Sequence, residues 1–131
     1  MYNPNYISIL VAVVAAFVAS MLWYTLFGNK LAKINPKAYA DVKRPGPLKI
    51  FLELLRNLIL AFVLQYILVR LGVIAMTGAV FVGFLLWLGF PFILLTGSVL
   101  HEKVPTKLAV IHAGDWLIKI LLISIILSLW H

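Results

Sequence analysis

Two pairs of oppositely charged residues lie inside segments that are otherwise extremely apolar. Glu53 precedes Arg56 by three residues, and Asp115 precedes Lys119 by four. Both spacings place the acid and the base on one face of a helix. A charged side chain at the centre of a membrane helix costs roughly 2.5–3.5 kcal/mol on insertion scales, so membrane proteins retain few of them. These two pairs are therefore the first candidates for a functional site.

Two further polar residues share the faces of these pairs. Asn57 follows Glu53 by four residues, and His112 lies three residues before Asp115. We therefore predict a site for binding or gating, whose candidate residues are Glu53, Arg56, Asn57, His112, Asp115 and Lys119. Since no serine or cysteine nucleophile stands beside His112, we predict no catalytic residues and no enzyme. The chain has no cysteine and lacks a two-histidine zinc motif, so we expect neither a metal nor a cofactor.

The segments that carry these residues are long enough to cross a membrane. Hydrophobic residues make up 64% of the 131 residues, and a helical span needs about 20 apolar residues. Four stretches qualify, at about 6–27, 48–71, 75–99 and 108–130. We predict an all-α integral membrane protein, a bundle of four transmembrane helices that forms one domain over residues 1–131, with the lipid bilayer as its surroundings.

The basic residues predict the orientation of the bundle. Most of them lie in two loops, the loop 28–47 with its margin and the loop before the last span. The first loop and its margin contain Lys30, Lys33, Lys37, Lys43, Arg44 and Lys49, with Asp41 as the acid, and the second contains Lys103 and Lys107. The positive-inside rule places both loops in the cytoplasm and both ends, Tyr2 and His131, outside. Because topology accounts for the net charge of +7, we expect no nucleic-acid partner.

Other residues indicate how the helices pack. Small residues at a spacing of four let helices approach closely, and they form two rows, Ala12, Ala16, Ser20 and Ala75, Ala79, Gly83. We expect one or the other of these rows to hold a homo-oligomer together. Pro91 predicts a kink in the third span. Aromatic residues at the ends of spans predict anchors in the head-group zone, namely Trp23, Tyr24 and Trp130.

The unusual residues fall at a common depth. With a rise of 1.5 Å per residue, Asp115 lies roughly 10 Å below the cytoplasmic boundary of its span, and Lys119 roughly 6 Å deeper. Glu53 and Arg56 lie roughly 5–12 Å below the boundary of theirs, and Pro91 lies at a similar depth. We expect the acids and bases of the second and fourth spans to be enclosed by protein and to face each other, with Arg56 level with Asp115.

Three stretches resemble the membrane-protein family called domain of unknown function 1761. They are Trp23-Tyr24 with Leu26-Phe27-Gly28-Asn29-Lys30, then Leu86-Trp87-Leu88-Gly89-Phe90, and Ile111-His112-Ala113-Gly114 through Trp130. The chain departs from the family at His112, where an acid or Asn is common, and at Asp115-Trp116, where an aromatic is common. The resemblance covers nearly the whole chain. It implies a four-span protein of a prokaryotic cell membrane, the inner membrane, and implies no activity.

Two functions are compatible with these residues. The first is transport or permeation of a small solute or ion by a homo-oligomer, because intramembrane ionisable residues usually mark pathways. The alternative is a structural or accessory membrane subunit, in which the buried ion pairs serve helix assembly only. A water-filled cavity beside the charged residues would favour transport, whereas a dry and fully paired layer would favour the accessory role.

Overall fold

The computed structural model describes residues 4–40 and 44–130, and all regular secondary structure in these residues is helical. The helices are α1 (Tyr6–Leu26), α2 (Gly28–Ile34), α3 (Pro47–Arg70), α4 (Met76–Gly89), α5 (Pro91–His101) and α6 (Thr106–Leu129). Four predictions fall outside the described residues, those for Tyr2, Asp41, Lys43 and His131.

Four helical segments are long and apolar enough to cross a membrane. They are α1, α3, the combined α4 and α5 (Met76–His101), and α6. The predicted all-α fold with four membrane-length helices is thus confirmed, and each boundary lies within two residues of the predicted one. The segment 28–47, which we predicted as a loop, begins with the short helix α2. Leu31 of α2 is fully buried, so this helix packs against the bundle.

The third span is interrupted at the predicted proline. α4 ends at Gly89, Phe90 has the non-helical angles φ −122° and ψ −78°, and Pro91 begins α5. Proline suits the first position of a helix because its missing N–H would have had no partner there, whereas inside a helix it clashes with the preceding turn. The predicted kink therefore takes the form of a complete break between two helices.

A tight turn joins α3 to α4. The N–H of Val73 donates to the carbonyl of Leu68, and the N–H of Gly72 donates to that of Val69. Gly72 has φ +69°, a left-handed conformation that glycine adopts without steric cost. This is the Schellman arrangement, which satisfies the last carbonyls of a helix. It makes α3 and α4 antiparallel.

α6 lies at the centre of the bundle, where it contacts α1, α3, α4 and α5. Small residues permit these contacts. Ala12 and Ala16 of α1 are fully buried in the core, as is Ala79 of α4. A Cβ atom on Gly83 would come within 2.7 Å of the Ser124 Oγ. The prediction that these rows face a second copy is therefore wrong for Ala12, Ala16, Ala79 and Gly83, because these residues pack against other helices of the same chain. Of the second row, Ala75 alone is exposed.

Candidate functional site

The second charged pair forms a buried ion pair on α6. Asp115 and Lys119 are each 3% exposed, and the Lys119 Nζ lies 3.3 Å from the Asp115 Oδ2. The other carboxylate oxygen, Oδ1, accepts a hydrogen bond of 2.5 Å from the Ser20 hydroxyl on α1. Charges removed from water need such partners, because the cost of desolvation otherwise exceeds the attraction between them. The pair therefore stabilises the α1–α6 contact as well as its own charges.

Trp116 lies beside two cations of this region. Its ring centroid is 4.2 Å from the Lys119 Nζ and 5.9 Å from the Arg56 guanidinium carbon. The negative face of an indole attracts a cation, more strongly where water is excluded. Trp116 thus connects the buried ammonium of α6 with the guanidinium of α3.

The first charged pair is placed differently from the prediction. Arg56 donates to Glu53 on the same helix, but these side chains are 56% and 41% exposed. The expectation that protein encloses this pair is wrong. Asp115 pairs with Lys119, whereas Arg56 lines the same cavity without pairing with Asp115. Each acid pairs with the base one turn away on its own helix, because that spacing already brings the charges into contact. An exposed pair of this kind contributes about 0–1 kcal/mol.

His112 lies between two tyrosine hydroxyl groups. The Tyr24 hydroxyl is 2.6 Å from its Nδ1, and the Tyr39 hydroxyl is 3.0 Å from its Nε2. A neutral imidazole has one donor and one acceptor nitrogen, so one tyrosine donates to the ring and the other accepts from it. Burial raises the pKa of Tyr39, which keeps its phenol protonated at neutral pH. Both ring nitrogens of His112 are therefore engaged.

The charged residues surround one cavity of about 500 Å³ between α1, α3 and α6. The structure brings all six predicted site residues to its wall, namely Glu53, Arg56, Asn57, His112, Asp115 and Lys119. Apolar groups such as Phe17, Ile50 and Trp116 complete the lining. Ala38, Tyr39 and Pro45 from the segment between α2 and α3 contribute to the lining at one end. A cavity of this size, mostly apolar with a few converging polar groups, is typical of small-molecule sites.

Within residues 4–40 and 44–130, packed apolar side chains close the inner end of the cavity. Immediately beyond Lys119 on α6, Ile120, Ile123 and Leu127 are buried, and they pack with apolar residues of α1, α3 and α4. A second cavity of about 90 Å³ lies at the opposite end, beside Asn5, Gln65 and Ser128. A layer of buried apolar side chains therefore separates the two cavities.

Two tryptophans hold α6 in position beside the cavity. The Trp23 indole N–H donates to the Ile111 carbonyl, and that of Trp87 donates to the Ala113 carbonyl, each at 2.9 Å. Gly114 makes room for Trp23, since a Cβ there would lie 2.5 Å from the ring. Trp23 and Tyr24 both bind α6, and their predicted role as anchors in the head-group zone stays a prediction. Trp130 is 46% exposed, and its anchoring role stays a prediction.

Sequence reasoning missed three groups at the site. Ser20 was assigned only to packing, and Tyr24 only to the membrane surface, although their spacing of four residues places them on one face of α1. That shared face was the signal that could have identified them. Tyr39 lies in an irregular segment, where no periodicity indicates which way a side chain points. Pro91 lies outside the residues that line the cavity.

The site contains groups that bind ions and protons, but no ready metal cage. No group of three His, Cys, Asp or Glu side chains that could hold a metal ion occurs in residues 4–40 and 44–130. The arrangement can accept hydrogen bonds at Asp115 and Glu53, donate them from Lys119, Arg56 and Asn57, and exchange protons at His112.

Comparison with known proteins gives a family but no activity. A family model described as "Protein of unknown function (DUF1761)" matches residues 7–128. No curated protein and no solved structure matches the chain. The match extends over all six helices, so it includes every residue of the site described above.

Proposed function

Because the chain belongs to the DUF1761 family, whose description assigns no activity, we propose its function from the cavity: the protein is a transporter that binds a small solute beside Asp115 and Lys119. The observation that carries this proposal is the cavity of about 500 Å³ that all six predicted site residues line. A cavity that ends at an apolar layer suits a transporter that alternates between two conformations better than an open channel.

The half-exposed charges of α3 support the same function. Glu53 and Arg56 belong to a membrane-length helix, and lipid tails offer them no hydrogen-bond partners. Charged residues within spans usually face a water-filled cavity or the interior of the bundle. These two line the cavity, so a polar solute or water at this point would solvate them.

The accessory role has one observation in its favour. Ser20, Asp115 and Lys119 connect α1 to α6 through buried contacts, and such contacts would be kept for assembly alone. The cavity beside them distinguishes the two functions, because assembly alone requires no space for a solute. The transport proposal therefore accounts for both the contacts and the cavity.

Transport can be tested in proteoliposomes by the swelling that follows solute entry. The chain has no cysteine, so Met21→Cys at the cavity wall introduces a single thiol. We expect swelling with at least one solute from a set of monocarboxylates, amino acids, amines and polyols. A bulky, water-soluble thiol reagent should then block that swelling in Met21→Cys protein.

Val18→Cys is the matched control for this experiment. Val18 is on the same helix, it is 44% exposed against 40% for Met21, and it does not line the cavity. The reagent should leave swelling through Val18→Cys protein unchanged. Swelling no faster than in protein-free vesicles for every solute, or equal block of both variants, would refute transport through this cavity.

The orientation in the cell membrane belongs to the same proposal. By the positive-inside rule we propose that Lys107 lies in the cytoplasm and that the α3–α4 turn, with Ile74, lies outside. An impermeant thiol reagent applied to intact cells should label Ile74→Cys and spare Lys107→Cys; the reverse result would invert the topology. A homo-oligomer also stays a proposal, and it would need faces other than the buried small-residue rows.

A further inference from the structure

Asn57 is a buried polar side chain of the cavity wall whose donor lacks a partner. It is 1% exposed, and its Nδ2 has no hydrogen-bond partner within residues 4–40 and 44–130. Native proteins pair nearly all of their buried donors, because an unpaired donor loses its hydration without compensation. The Ser124 Oγ also lacks a partner in these residues, but Ser124 does not line the cavity. Asn57 therefore calls for an acceptor atom on a molecule in the cavity.

The Asn57 amide can reach such an acceptor without a change in the helix. Its Nδ2 is at the end of the side chain, and the last torsion angle of asparagine, χ2, has broad preferences. A small rotation about χ2 brings the donor toward the cavity that this residue borders. An amide carries no net charge, so it selects a molecule for its acceptor atom and not for a negative charge.

The charged groups of the cavity wall already have partners. Lys119 lies 3.3 Å from the Asp115 carboxylate, and Arg56 donates to Glu53. Lys49 also has an interaction partner. A charged solute would compete with these contacts, and a buried charge that loses its partner is strongly destabilising. The paired wall therefore favours a solute without net charge.

The hydrogen-bonding groups on the α1 and α6 sides are also engaged with one another. Both ring nitrogens of His112 contact tyrosine hydroxyl groups, and the Ser20 hydroxyl donates to Asp115. The remaining wall is largely apolar, with Phe17, Ile50 and Trp116 among its side chains. The cavity thus offers one unpaired donor and a broad apolar surface.

We infer that the cavity binds a small uncharged carbonyl compound, whose oxygen accepts a hydrogen bond from the Asn57 Nδ2 and whose apolar body lies against Phe17, Ile50 and Trp116. This inference rests on the proposed transport function and names its substrate class. A carbonyl oxygen has two lone pairs and supplies the acceptor that Asn57 lacks. Both ion pairs stay intact when such a molecule binds. If the carbonyl belongs to an amide, its N–H groups can donate to Glu53 or Asp115, because a carboxylate accepts several hydrogen bonds.

Calorimetric titration of the full chain in lipid nanodiscs tests the substrate class with three probes of similar shape. Benzamide is uncharged, benzoate is an anion and benzamidine is a cation. Empty nanodiscs correct for uptake of each probe by the lipid. We expect benzamide to bind at least about tenfold more tightly than either charged probe, because neither ion pair has to separate. Benzoate or benzamidine that bound as tightly as benzamide would overturn the inference.

The contact with Asn57 can be tested by a substitution. Asn57→Leu removes the donor and should weaken benzamide binding about tenfold. Its free energy of unfolding should not fall, because the donor that it removes had no partner. Leu58→Ala is the control on the same helix, since Leu58 does not line the cavity, and it should leave the affinity for benzamide unchanged. Unchanged affinity in Asn57→Leu would remove the proposed hydrogen bond.

A nuclear magnetic resonance measurement observes the same hydrogen bond in the parent protein. With ¹⁵N-labelled asparagine, the side-chain amide signal of Asn57 is assigned by its absence from Asn57→Leu, or from Asn57→Gln if the leucine variant does not fold. Benzamide should shift this signal, whereas an equal concentration of benzoate should not. A signal that benzamide leaves in place, at a concentration that saturates its binding, would contradict the assigned contact.

The outcomes separate this inference from the transport proposal. Failure of benzamide to bind, in protein that still supports swelling with another solute, would end the inference and leave the transport proposal standing. Benzamide binding that depends on Asn57, without swelling for any solute even when propionamide is added to the set, would support the site and refute transport.

Discussion

Polar residues have different surroundings at the two ends of the bundle. At the end where α1 begins, Gln65, Asn5 and Ser8 form hydrogen bonds mainly with one another and with the backbone at the start of α1. A cavity of about 90 Å³ lies beside them. At the other end, Asp115 and Lys119 form an ion pair at the wall of a cavity of about 500 Å³. Polar groups that only complete a helix end need no such space, so the larger cavity distinguishes a candidate site from a cap.

The first comparison concerns the buried pair, where we expect the largest effect. Asp115→Asn or Lys119→Leu leaves one charge buried without its partner, which costs about 3–5 kcal/mol in protein interiors. Arg56→Gln is the control, because its pair is half-exposed and contributes about 0–1 kcal/mol. Reversible unfolding in mixed micelles measures all three. Equal decreases in the free energy of unfolding for Lys119→Leu and Arg56→Gln would show that the buried pair contributes no more to stability than the exposed pair.

The apolar layer between the two ends depends on close packing. In Gly83→Ala the new Cβ would lie 2.7 Å from the Ser124 Oγ and 3.2 Å from the Ile120 Cγ2, so the free energy of unfolding should fall by about 1–3 kcal/mol. Gly97→Ala has no neighbour within 4 Å and should be neutral or slightly stabilising. The free energies of unfolding of both variants can be measured in mixed micelles. If Gly83→Ala were as stable as the parent chain, the close contact of Gly83 with α6 would be contradicted.

The polar end opposite the site should matter for stability alone. Gln65→Leu removes hydrogen bonds to the Asn5 backbone and to Ser8, at a cost of about 1–3 kcal/mol. Solute-driven swelling through the cavity at the other end should remain as in the parent chain. Val69→Ala, on the exposed face of the same helix, is the control for stability. A loss of swelling in folded Gln65→Leu protein would mean that the two ends are coupled.

The helices could be predicted from the sequence because membrane thickness and apolar length determine them together. The same reasoning brought Asp115, Lys119 and His112 onto one helix face. It did not decide whether Asp115 pairs with Arg56 or with Lys119, because depth alone does not reveal whether a side chain pairs within its helix or across the bundle. It did not reveal that Trp23 contacts α6, since an aromatic residue at a span end suits both an anchor at the membrane surface and a contact inside the bundle.

The double variant Asp115→Asn/Lys119→Gln tests the central claim most directly, namely that the buried pair belongs to a binding site. Both charges are removed at once, so the free energy of unfolding should recover relative to either single variant. Without the Lys119 ammonium at the cavity wall, solute-driven swelling should be lost. A double variant that recovers stability and keeps swelling would contradict the account, because the pair would then serve helix assembly only.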